Sequence, residues 1–118
     1  MKTPWTNLQS MRVITWRRLE DFWRRHPQAQ APLSHWYEVS SQADWRTFPD
    51  VRAIFASADS VGRCVVFNIG GNNFRLVTAI HYQKRKKDGT WSKGRVYVRE
   101  VLTHADYDRG HWKTDCGA

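Results

Sequence analysis

A chain of 118 residues with 41% hydrophobic content has the apolar material for one domain with a core, and it contains no apolar run long enough to span a bilayer. Its formal net charge of +8 points to a polyanionic partner, nucleic acid before membrane. Attraction of that kind names a class of ligand and carries no sequence preference.

Met1 to Ser10 is polar, contains Pro4 and has no periodicity, so it reads as a loose arm. It also lacks the apolar centre of a signal peptide. Met11 to Thr15 is a short strand. Trp16 to His26 follows as a helix, with Leu19, Phe22 and Trp23 at helical spacing and Arg17, Arg18, Arg24 and Arg25 outward. Pro27 closes it, because the residue before a proline is pushed out of helical geometry.

A second helix is predicted from Ala29 to Ala43, with Leu33, Trp36 and Tyr37 as its apolar stripe and Pro32 confined to the first turn. Pro49-Asp50 begins a short third helix with Val51, Ile54 and Phe55 inward. From Arg63 the period changes to two. Cys64 to Ile69 and Phe74 to Tyr82 form a hairpin across Gly70-Gly71-Asn72-Asn73. Phe74, Leu76, Thr78 and Ile80 share one face of its second strand. Arg75, Val77, Ala79 and His81 share the other, so Arg75 is a charge on a mostly apolar sheet surface.

Gln83 to Gly94 is a basic loop turning at Asp88-Gly89. Between Gln83 and Arg99 stand seven of the 19 Lys and Arg residues and only one of the 11 acidic ones. Lys84, Arg85, Lys86, Lys87, Lys93 and Arg95, with Arg63 and the ring of Trp91, are the candidate RNA-binding residues. A polybasic finger with an aromatic ring is a pairing seen in single-strand binders. Arg95 to Thr103 starts as a half-buried strand, with Val96 and Val98 to one side and Tyr97 and Arg99 to the other. It delivers His104, Asp106, Tyr107 and Asp108 where a strand would end. Arg109 to Ala118 loses all pattern and reads as a frayed tail. The two cysteines, Cys64 and Cys116, make no disulfide framework and no Cys-x-x-Cys pair; Cys64 reads as a small core residue and Cys116 as part of the tail, which fits a reducing cytoplasm and leads to the expectation of a cytoplasmic protein.

His104, His111 and Cys116 match no common zinc spacing, the carboxylates form no calcium loop, and Gly70-Gly71 lies between strands rather than ahead of a helix. No metal site and no cofactor are therefore expected. What remains is a basic sheet face with Arg75, Arg99, His104 and Tyr107, the candidate catalytic residues. RNA cleavage without a metal needs little more, since the nucleophile is the RNA's own ribose hydroxyl. Arginine forks pair with phosphate oxygens, and a His or Tyr can move a proton.

Met11-Arg12-Val13-Ile14, Trp23 with His26-Pro27, Asp44-Trp45, Val66-Phe67-Asn68-Ile69, Asn72/Asn73 with Phe74-Arg75-Leu76-Val77, and the closing Thr103-His104-Ala105-Asp106-Tyr107-Asp108 together resemble the HigB toxins. These are the toxin halves of type II toxin–antitoxin pairs within the RelE-like mRNA interferases. The resemblance covers Met11 to Asp108 and implies an α+β fold with N-terminal helices on one face of a small, antiparallel-rich twisted sheet. It implies cleavage of mRNA, usually on a translating ribosome at the 30S A site, and neutralisation by a HigA-type helix-turn-helix antitoxin. By position, Arg75 and Arg99 fall where RelE-like toxins place arginines on the scissile phosphate. Tyr107, with His104, falls where they place C-terminal proton-transfer groups. The arm before Met11 and the length of the 83–94 insert depart from the family pattern. The alternative from another class is a non-catalytic module that binds nucleic acid or an antitoxin, which would keep the basic patch without proton-transfer groups.

Overall fold

The switch from helical to twofold periodicity at Arg63 marks where helices give way to most of a five-stranded sheet. The computed structural model describes residues 10–118. The arm expected over Met1 to Ser10 lies outside the described residues, except for Ser10, which is buried. The elements run β1 (Arg12–Ile14), α1 (Arg17–Arg25), α2 (Gln30–Ser41), α3 (Phe48–Ile54), β2 (Asp59–Val61), β3 (Cys64–Ile69), β4 (Phe74–His81), β5 (Arg95–Thr103) and α4 (His104–Arg109). The sheet order is β1-β5-β4-β3-β2, with β1 parallel to β5 and all other pairs antiparallel.

The helices form where the apolar spacing allows. Leu19 and Phe22 are the buried positions of α1, which ends at His26 ahead of Pro27. A single 3₁₀ turn, Pro27–Ala29, leads into α2, where Pro32 sits in the first turn and its missing N–H is harmless. Asp50 starts α3 by accepting hydrogen bonds from the backbone N–H groups of Arg46 and Thr47 at 3.0 and 3.2 Å. The helices' apolar sides cover one sheet face. There Phe67 meets Trp36, Trp45 and Phe55 at ring separations of 5.2–6.1 Å. Two expected inward residues do not turn in: Tyr37 and Ile54 are exposed, because each lies at the margin of a narrow apolar stripe.

The largest correction concerns the C-terminus. Arg109 to Ala118 is not frayed: Gly110 caps α4 in the left-handed conformation and His111–Cys116 forms a 3₁₀ helix on the second face of the sheet. Trp112 and Cys116 are buried there against Cys64, Val66, Val77 and Leu102. The reading that the cysteines make no disulfide framework is corrected as well, since Cys64 and Cys116 are bonded to each other, and the cysteines therefore lend no support to a reducing compartment. The β2–β3 turn completes the docking. The Arg63 N–H donates to the Cys116 carbonyl at 2.7 Å, and a Cβ on Gly62 would fall 2.0 Å from that same oxygen. A backbone approach this close requires glycine.

Candidate active site

The register of β4 on β5 decides which polar groups meet. Phe74 pairs with Thr103 and Arg75 with Leu102, so the start of β4 lies beside the end of β5. Thr103 then caps α4, its Oγ1 accepting from the Asp106 N–H at 3.2 Å. The strand therefore passes directly into a helix turn, and Tyr107 comes over the second sheet face. The Arg75 guanidinium lies 5.0 Å from the centre of the Tyr107 ring. Trp112 stacks on that ring at 4.9 Å and donates its indole N–H to the Tyr107 carbonyl at 2.9 Å.

Arg75 is only 9% exposed, and its Nη1 donates to the carbonyls of Asn72 and Phe74 at 3.0 and 3.2 Å. Among the described residues it makes no ion pair with a carboxylate. A cation held among carbonyls and an aromatic face, with no acid to neutralise it, is a latent anion site. His104 opens α4 and places Nδ1 3.1 Å from Asp108 Oδ2, with both side chains exposed. A carboxylate on Nδ1 fixes the ring and turns Nε2 outward.

Arg99 sits farther along. Val77 pairs with Glu100 and Thr78 with Val98, which leaves Arg99 as the extra residue of a β-bulge. The bulge reverses the alternation. Val98 and Val101 both pack in the helix-side core, whereas Leu102 packs on the second face. Arg99 and Glu100 consequently stand side by side. Arg18 of α1 joins them, donating from Nη1 to the Arg99 carbonyl where β5 has run past its pairing with β1. Arg18, Arg99 and Glu100 are the shared wall of two clefts of about 370 and 400 Å³. Partial burial and the Asp115 carboxylate, with a smaller contribution from Asp106, hold the Glu100 carboxyl above the usual glutamate range despite Arg18. Arg18, Glu100 and Trp112 were not singled out from the sequence; a bulge is a property of the ladder and leaves no mark on a single strand.

The structure brings Arg75 and Tyr107 into contact, sets His104 one turn away, and puts Arg99 roughly 7–10 Å along the sheet. It separates all four from the basic loop. His81 pairs with Arg95 at the opposite end of the β4–β5 hairpin, roughly 20–25 Å from Arg75. The loop itself is an ordered hairpin. Arg85 bridges to Trp91, the Lys86 N–H donates to the Thr90 carbonyl at 2.7 Å, and Asp88 accepts from the Thr90 N–H and hydroxyl. Those hydrogen bonds from Thr90, the hydroxyl's foremost, hold the Asp88 carboxyl below the usual range. The Arg46 guanidinium lies 3.8 Å from the centre of the Trp91 ring, so this ring already has a stacking partner. Arg63 likewise has work elsewhere: its Nη2 lies 3.4 Å from the Asp115 carbonyl, where it helps dock the C-terminal segment.

Among the described residues no three His, Cys, Asp or Glu side chains gather as a metal-binding set, and no helix is long and apolar enough to cross a membrane. Comparison with known proteins finds a match over residues 29–110 to the family described as HigB toxin, RelE-like toxic component of a toxin–antitoxin system. The chain is 29% identical over 101 residues to the mRNA interferase toxin HigB of Escherichia coli K12, spanning 83% of this chain and 88% of that protein. The mRNA interferases HigB of Escherichia coli O157:H7 and Shigella flexneri match to the same extent.

Proposed function

The chain belongs to the HigB family, the RelE-like toxic components of toxin–antitoxin systems, and from that premise we propose that it is an endoribonuclease that cuts mRNA and so arrests translation. The observation that carries this reading is Arg75, a nearly buried guanidinium with no carboxylate partner among the described residues, set against the ring of a tyrosine that can carry a proton. The names of the relatives, all mRNA interferases, support the same reaction.

In this reading the reaction needs no metal. The ribose 2′-oxygen attacks the adjacent phosphorus, negative charge builds on the phosphoryl oxygens, and the 5′-oxygen leaves. Arg75 and Arg99 offset the charge, and Tyr107 or His104 returns a proton to the leaving oxygen. The lysines of the 83–94 hairpin, with Arg85 and Arg95, hold the RNA or ribosomal backbone far from the cut. That distance suits a substrate presented at the 30S A site, which supports ribosome dependence. The antitoxin is a HigA-type helix-turn-helix protein, and cleavage of mRNA puts the protein in the cytoplasm.

Induced expression followed by mapping of transcript ends tests the reading. Growth arrest with cuts at defined positions is expected for the wild type, and loss of both for Arg75→Ala, Arg99→Ala and Tyr107→Ala. Growth arrest without new ends in the wild type would instead favour the non-catalytic binding module.

A further inference from the structure

The bulge at Arg99 does more than shift an arginine. In an unbroken strand Arg99 and Glu100 would face opposite sides of the sheet, and Glu100 would turn toward the helix-side core. The extra residue instead turns both toward the face that carries Arg75, and both line the two clefts that flank Arg18. Val77 opposes Glu100 and Arg75 opposes Leu102, so Arg75 and Glu100 are diagonal neighbours on one face, their backbones about 7–8 Å apart. Long side chains on one face at that backbone spacing can reach the same phosphate and its ribose. Among the described residues Glu100 makes no ion pair, so its oxygens are not committed to a partner.

We propose that Glu100 is a catalytic residue that accepts the proton of the ribose 2′-hydroxyl at the scissile phosphate, a role that rests on the ribonuclease reading above. The 2′-O–H bond breaks and its proton passes to a Glu100 carboxylate oxygen. The freed electron pair forms the bond from the 2′-oxygen to phosphorus. The bond from phosphorus to the 5′-oxygen breaks, and that oxygen takes its proton from Tyr107 or His104. No oxidant, reductant or further reactant is needed, and the upstream fragment ends in a 2′,3′-cyclic phosphate. The groups facing Glu100 set its titration: Arg18 from α1, Asp106 from α4 and Asp115 from the C-terminal 3₁₀ helix, with Arg99 beside it on the strand. The net effect raises its proton affinity, which suits a base that must hold a proton transiently. Because the base acts deprotonated, the rate should fall as pH drops through its titration, at a pH above that of an ordinary glutamate.

The test compares wild type, Glu100→Gln and Glu100→Asp as purified full-length chains on mRNA in a translating extract. It reads kcat and KM against pH, together with thermal melting. Glu100→Gln should melt and bind as wild type does, lose about 10²–10⁴-fold in kcat and lose the acid limb of the profile. Glu100→Asp should recover part of the rate. Equal kcat and an unchanged acid limb in Glu100→Gln would overturn the role of Glu100 while leaving the ribonuclease reading standing. An absence of cut ends from the wild type would overturn both.

Discussion

Arg75→Met is expected to leave the fold standing and to lower RNA cleavage by about 10²–10³-fold. The two halves of this result have different causes. Arg75 is buried with its guanidinium bonded, among the described residues, to the Asn72 and Phe74 carbonyls and resting against Tyr107. Removing an uncompensated buried charge while keeping its length is commonly neutral or stabilising, since the desolvation cost disappears with it. The same charge is what meets the phosphoryl oxygens as they gain negative charge. Arg75→Lys should recover only part of the rate, because a single ammonium cannot replace a fork that spans two oxygens. Melting curves and single-turnover cleavage check both halves. A variant that melts normally and cuts normally would remove Arg75 from the site.

Reduction of the Cys64–Cys116 bond, or Cys116→Ser, is expected to cost stability first and activity as a consequence. The bond closes a loop with a sequence separation of 52 residues. The chain-entropy estimate for such a loop is about 4 kcal/mol, enough to lower the melting temperature by more than about 10 °C. The segment it ties down carries Trp112, which stacks on Tyr107, and Asp115, which faces Glu100. Loosening it should therefore slow cleavage by more than the unfolded fraction explains. Urea unfolding with and without a dithiol reductant, alongside cleavage rates, is the check. Coincident unfolding curves would show that packing of Trp112 holds the segment without the bond.

The elements that were legible in the sequence are those whose burial follows a period. The stripe of Leu19 and Phe22, the β3–β4 hairpin and the parity that puts Arg75 opposite Phe74 and Leu76 all come from residue spacing, and the folded chain keeps them. The misses have a common cause. A 3₁₀ helix of six residues has too short a repeat to show a stripe, so Trp112 and Cys116 looked like a tail. Cysteines 52 residues apart reveal nothing of their approach until β3 and the C-terminus share a face. The bulge that pairs Arg99 with Glu100 depends on how β5 lies against β4, and the stacking of Arg46 on Trp91 joins parts of the chain far apart in sequence. Arg75 and Tyr107 were readable as residues. Their contact was not.

The chemistry of the cut ends tests the central claim most directly. Fragments made by the purified wild-type chain in a translating extract can be probed for their termini, with the Arg75→Met reaction run in parallel. Attack by the neighbouring ribose hydroxyl leaves a 2′,3′-cyclic phosphate upstream and a 5′-hydroxyl downstream, both absent from the Arg75→Met reaction. Fragments bearing 3′-hydroxyl and 5′-phosphate ends would mean that an activated water did the cutting, and would contradict a site built on arginines and the RNA's own nucleophile.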